Sequence, residues 1–213
     1  MAKAAFSIAI EGVIGVGKTT LARAVAERLG AFRLCEEDIV NPFLTDFYKN
    51  RSRWALACQL SFLHGRMAQF RRPRPVGVPV VSDHSLVKEP LFAAVNIANV
   101  DELDLYTRTY AAVADPQAFH PQVVVYLTAQ LDEVRDRIRQ RGRRSEYKID
   151  VGYLADLVDA YEAWCESDAA GRERVVVVSA DGAGIAEDPA AVDRLIDACR
   201  RAPVGLSYCN PIA

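Results

Sequence analysis

No stretch of this 213-residue chain runs to 18 apolar residues, so no segment is long enough to cross a bilayer as a helix, and no membrane partner is expected. The amino terminus lacks the basic and apolar regions of a secretory signal and passes at once into a strand-like run. Cysteine is scarce and unpatterned. Its five residues, at 35, 58, 165, 199 and 209, include no Cys-x-x-Cys pair and mostly fall in apolar or helical contexts, which excludes a disulfide framework and suits reduced thiols in a cytoplasm. An excess of one charge is missing too. With 26 basic against 28 acidic residues the net charge is -2, so nothing draws the whole molecule to a nucleic-acid polymer, and any phosphate recognition must be local. There is no internal repeat, and the length suits one domain spanning 1–213 with a well-buried core.

What is present begins at the apolar run Phe6 to Ile10, which leads into Gly12-Val13-Ile14-Gly15-Val16-Gly17-Lys18-Thr19-Thr20. The spacing Gly12-x4-Gly17-Lys18-Thr19 reads as strand, phosphate loop and helix: the glycines let successive backbone N–H groups turn inward around phosphate oxygens. Lys18 then reaches the terminal phosphates and Thr19 offers its hydroxyl to a magnesium ion. The helix opened by Thr20, with Leu21, Val25 and Leu29 on one stripe and Gly30 as its stop, aims its positive end at the anion. No Asn-Lys-x-Asp stretch follows, which speaks against a guanine-specific GTPase.

A short strand over 31–35 delivers Glu36-Glu37-Asp38 at its carboxyl end, where the crevice of an open parallel sheet lies and a carboxylate can take a proton from a hydroxyl. Asn41-Pro42 opens a helix carrying Phe43, Leu44, Phe47 and Tyr48, and a longer helix runs from Trp54 to Gln69. On it Gln59, Phe62 and Arg66 share one side, either lining a pocket or forming a surface row. After the basic, Pro-broken loop at 71–77, Val78 to Val81 reads as a strand ending in Asp83, the candidate second metal-side carboxylate. Two helices follow, over 86–97 and 101–114, the second capped by Asp101. Gln122 to Leu127 is a strand buried on both faces. The next helix, marked by Leu131, Val134 and Ile138, carries Arg135, Arg137, Arg139, Arg141, Arg143 and Arg144, six arginines within ten residues. They suit either a basic lid over a nucleotide or a solvated face paired with Asp132, Glu133 and Asp136. A helix over 150–167, a strand over 175–178 and a helix over 188–201 complete an α/β sandwich of three layers around a parallel sheet of about five strands. The tail, about 203–213, is expected to be loosely ordered.

Glu36, Asn41-Pro42-Phe43-Leu44, Phe47-Tyr48, Trp54-x4-Gln59, Asp83 and Arg137-Ile-Arg-Gln-Arg141-Gly-Arg143, set beside the phosphate loop, make the chain resemble the deoxynucleoside kinase family, above all its bacterial deoxyadenosine and deoxyguanosine kinase branch. The resemblance runs from the first strand to about Tyr161. It implies a P-loop kinase fold with an Arg-rich lid over about 139–149, ATP and Mg2+ as cofactors, a small nucleoside as substrate and a homodimer. It also implies roles: Glu36 as general base on the 5′-hydroxyl, Tyr48 and Glu146 on the 3′-hydroxyl, Gln59 on the base edge with Arg66 and Glu89 beside it, and Arg137, Arg141 and Arg143 on the phosphate donor. Arg141 and Lys18 join Glu36 as catalytic residues, Thr19 and Asp83 as metal ligands.

In two places the chain departs from the family. His84 stands in Asp83-His84-Ser85 where relatives carry an arginine or tyrosine: it either substitutes partly for the arginine, is an inert strand-end histidine or marks a shifted substrate, the last two together being favoured, and it is placed among the substrate-binding residues; Cys58 replaces an aromatic that stacks on the base in some members. The expected reaction is transfer of the ATP γ-phosphate to a 2′-deoxynucleoside, with deoxyadenosine, deoxyguanosine or deoxycytidine ahead of thymidine. Two alternatives stand beside it: a nucleoside monophosphate kinase of the thymidylate type, and a phosphate-loop protein that binds nucleotide for regulation.

Overall fold

The computed structural model describes residues 5–212 except 116, 117, 144, 145, 147, 148 and 183. The first apolar run is strand β1 (Ser7–Glu11), buried along its whole length, and it passes through the glycine loop into helix α1 (Lys18–Leu29). β2 (Phe32–Leu34) ends in a 3-10 turn over Glu36–Asp38, and α2 (Leu44–Lys49) and α3 (Arg51–Phe70) follow. Next come β3 (Val80–Ser82), α4 (Lys88–Asn96), α5 (Val100–Val113) and β4 (Val123–Thr128). The chain continues through α6 (Leu131–Arg141), α7 (Val151–Cys165), α8 (Asp168–Gly171), β5 (Arg174–Ser179), α9 (Pro189–Arg201) and β6 (Gly205–Cys209).

All strand pairs are parallel, and the six strands lie in the order β2-β3-β1-β4-β5-β6 with helices flanking the sheet. This is the expected α/β sandwich with one more strand. The extra strand corrects the expectation of a loosely ordered tail: Leu206 to Cys209 pair with Val175 to Val178 on the far edge. Central β4 and β5 carry apolar runs, Val123 to Leu127 and Val175 to Val178, because both faces are covered, and each fully buried valine contributes about 1.5–3 kcal/mol. A second correction concerns α5. Its N-cap is Asn99, whose Oδ1 accepts from the amides of Asp101 and Glu102, so Asp101 lies one step inside the helix.

Since β1 has β3 on one side and β4 on the other, the chain leaves it in opposite directions, and a crevice opens beyond its carboxyl end. Glu11, the last residue of β1, is fully buried there. Its Oε1 accepts from the amide and hydroxyl of Ser85 at 2.6 and 2.7 Å, and its Oε2 from the Tyr161 hydroxyl at 2.8 Å. One carboxylate thus joins the central strand to the segment that starts α4 and to α7.

Candidate active site

The phosphate loop is shaped by what surrounds it. Gly12 and Gly15 have φ of 141° and 84°, and a Cβ on them would lie 2.6 Å from the Leu127 carbonyl oxygen and 2.5 Å from Ile138 Cγ1, so only glycine lets the loop press on β4 and α6. Lys18 turns back to donate to the Gly12 and Val13 carbonyls, both at 2.9 Å. Burial and the positive charge of Lys88 lower its pKa to about 8, against the opposing pull of Glu36, Glu11 and Asp83. Thr19 Oγ1 donates to Asp83 Oδ2 at 2.8 Å; the other Asp83 oxygen accepts from the Glu36 amide at 2.7 Å and lies 3.1 Å from His84 Nδ1. Burial works against the Asp83 carboxylate, but His84, the amide and Thr19 together hold its pKa below the ordinary value.

Two cavities meet at this loop. The outer cleft, about 810 Å³, runs from Gly15–Leu21 past Arg137 and Arg141 to the segment around Gly184–Glu187. The inner cavity, about 300 Å³, is walled by Glu36, Tyr48, Cys58, Gln59, Phe62, Arg66, Lys88, Glu146 and Tyr153. Gly15, Lys18, Thr19, Glu37 and Arg141 belong to both. The choice left open for Gln59, Phe62 and Arg66 is therefore decided in favour of a pocket wall.

Within the inner cavity Arg66 donates from Nε and Nη2 to Glu36 Oε1 at 3.1 and 2.5 Å and from Nη1 to Glu89, with its guanidinium 4.8 Å from the Phe62 ring centre. Lys88 Nζ lies 2.9 and 3.1 Å from the two Glu36 oxygens. Burial pushes the Glu36 carboxyl up, but Lys88 and Arg66 outweigh it and hold its pKa well below the usual carboxylate range. Tyr48 and Glu146 face the same space; Glu146 is buried and accepts from Arg141.

Two expected substrate residues do not reach the cavity wall. Glu89 is fully buried behind Arg66, bonded to it and to the Tyr106 hydroxyl, so it can act on a substrate only by orienting the guanidinium. His84 is fully buried and stacked on Phe70 with ring centres 5.0 Å apart, pointing into the core. Its flat ring packs there while Nδ1 keeps its contact with Asp83 Oδ1 at 3.1 Å. Lys88 was missed by the sequence reading. The available signal was a lone lysine in the first turn of an apolar helix, where the helix dipole disfavours a cation.

The arginine run divides. Arg135 and Arg139 form the helix-face pairs with Asp132 and Asp136, as a solvated face requires. Arg137 lines the outer cleft and donates to the Val16 and Ala180 carbonyls as well as to Glu133. Arg141 and Arg143 face the inner cavity, paired with Glu146 and, for Arg143, also with Glu37. Arg144 lies outside the described residues.

The sequence profile of the deoxynucleoside kinase family matches residues 8–202. Deoxyguanosine kinase of Bacillus subtilis is 32% identical over 179 residues, 82% of this chain and 86% of that protein. Deoxyadenosine/deoxycytidine kinase of the same organism is 33% identical over 163 residues, 74% and 75% of the two chains. Among solved structures, deoxyadenosine kinase from M. mycoides with bound dCTP superposes with a TM-score of 0.72 at 25% identity, covering 82% of this chain and 90% of that one. With profile, relatives and superposition in agreement, the chain belongs to the deoxynucleoside kinase family.

Proposed function

We propose that this deoxynucleoside kinase moves the γ-phosphoryl group of ATP, bound in the outer cleft, to the 5′-hydroxyl of a 2′-deoxynucleoside bound in the inner cavity. The observation that carries the reading is the shared boundary at Lys18 and Thr19: two cavities of different character meet where a phosphoryl group must pass. Membership of a kinase family disfavours the regulatory alternative. A thymidylate-type kinase fits less well, since Glu36 stands where its acceptor phosphate would have to lie.

Glu36 takes the hydroxyl proton. Tyr48 and Glu146 hold the 3′-hydroxyl, and Gln59 and Arg66 read the base edge with Glu89 bracing the arginine. Lys18 and the N-terminus of α1 hold the donor phosphates together with Arg137, Arg141 and Arg143. The Thr19 hydroxyl and Asp83 carboxylate, 2.8 Å apart, offer oxygen donors of the kind Mg2+ prefers and would hold it there. Bound there, the ion supplies charge neutralisation to the phosphates. A cytoplasmic homodimer completes the reading.

Thymine presents a carbonyl where adenine and cytosine carry an amine, and a buried polar group left unpaired costs about 1–3 kcal/mol. On this ground deoxyadenosine and deoxycytidine are expected ahead of thymidine; deoxyguanosine, whose base also carries a carbonyl there, is placed ahead of it on the likeness to a deoxyguanosine kinase. Steady-state kcat/KM for the four deoxynucleosides tests the base assignment, and thymidine as best substrate would overturn it. Glu36→Gln should lower kcat by about 100- to 10,000-fold, the usual range for a general base, while Glu37→Gln does much less. A reversal of the two would move the base to Glu37.

A further inference from the structure

Lys88 is 2% exposed, an unusual setting for an ammonium group, and it sits in the first turn of α4, whose dipole repels a cation. Its one ion-pair partner among the described residues is Glu36, which it contacts through both carboxylate oxygens. Arg66 differs: Glu89, held by Tyr106, neutralises it from behind whatever happens at Glu36. Lys88 also lines the inner cavity, and its stem lies along Phe92, with Nζ 5.1 Å from the ring centre.

We propose that Lys88 is a further catalytic residue of the transfer, holding the Glu36 carboxylate toward the acceptor hydroxyl and then stabilising the charge that forms on the acceptor oxygen and the phosphoryl group. The inference rests on Glu36 being the base. In the step, the hydroxyl O–H bond breaks and its proton goes to Glu36, an oxygen lone pair forms the new O–P bond, and the bond from the γ-phosphorus to the β–γ bridging oxygen breaks with its electron pair leaving on ADP. Protonation removes the negative charge that Lys88 was paired with. A buried ammonium left so is costly unless another anion takes the place of the carboxylate, and the anion forming beside it is the transferring phosphoryl group. Its attraction to Lys88 therefore grows as the reaction proceeds, which is the condition for an interaction to raise kcat rather than merely tighten binding.

The test uses the full-length enzyme. Lys88→Met, close in shape and uncharged, should lower kcat by about 100-fold or more, the effect typical of losing one preorganised donor, with the nucleoside KM within about threefold and an unchanged or raised Tm. Lys88→Arg, which restores the charge, should recover at least about tenfold of the loss. Lys88→Gln is measured beside them so that a folding defect in one variant leaves the comparison standing. A purely structural lysine would instead lower Tm on substitution and leave kcat alone, so a folded Lys88→Met or Lys88→Gln enzyme with kcat within about threefold of the parent overturns the proposal. Glu36→Gln separates the two claims: full activity there removes the base assignment itself, whereas an inactive Glu36→Gln beside an active Lys88→Met removes only the role of Lys88.

Discussion

At the scale of single residues, Glu11 shows how the site is held without touching substrate. Its carboxylate accepts three hydrogen bonds, two from Ser85 and one from Tyr161, and is fully shielded from water. Ser85 in turn accepts from the Val87 amide through its hydroxyl, so the bonds to Glu11 set the entry to α4 and with it the placement of Lys88 and Glu89. Hydrogen bonds to a charged group contribute about 1.5–3 kcal/mol each, and a donor stranded in the core costs a similar amount. Tyr161→Phe removes one bond and should destabilise by about 1.5–3 kcal/mol. Glu11→Ala strands three donors and should cost distinctly more. Urea unfolding of the two variants checks the order, and equal losses would mean the Ser85 bonds contribute little.

At the scale of elements, β6 decides how the sheet ends. Its five residues pair with β5 through backbone groups, and the net value of such bonds, about 0.5–1.5 kcal/mol each, is nearly matched by the about 1–2 kcal/mol of backbone entropy lost for every residue ordered. Thermodynamic stability therefore gains little from the strand; what it does is cover the edge of β5, whose Val175, Val176 and Val178 are fully buried. Truncation after Ala202 should move Tm by less than about 5 °C yet make the protein aggregate on standing, followed by light scattering. A truncated protein that stays monodisperse would show that β5 needs no cover.

The same energetics explain why sequence missed this strand while locating the others. β1, β4 and β5 bury apolar side chains and so write themselves as apolar runs, whereas in Gly205-Leu206-Ser207-Tyr208-Cys209 only Leu206 and Cys209 pack against the core and Tyr208 is exposed, too sparse a pattern to read. The site follows a similar rule. The phosphate loop was legible from its spacing, and the resemblance singled out Glu36 and Gln59, which line the inner cavity, and Asp83, which meets Thr19. Lys88 looked like an ordinary helix residue, and the inward turn of His84 depended on a stacking partner, Phe70, that lies far away in sequence.

At the scale of the whole molecule, the outer cleft and the inner cavity adjoin along one boundary. The basic end of α6 spans both: Arg141 lines each of them, and Arg143 reaches Glu37 and Glu146. These charges are paired with carboxylates, which phosphates held by the arginines, as proposed, would displace. The displacement is easy at Glu37, because its pair with Arg143 is about half exposed on each side and such pairs contribute only about 0.2–1 kcal/mol. Glu37→Gln should accordingly change the ATP KM by less than about fivefold. Neutralising Arg141 and Arg143 together removes the cations themselves, so the folded double variant should show a raised ATP KM and a lowered kcat, with nucleoside binding affected only where Glu146 loses its partner. Initial rates against ATP, with circular dichroism for the fold, check this, and kinetics equal to the parent would place both arginines on a solvated face with no part in closing the site.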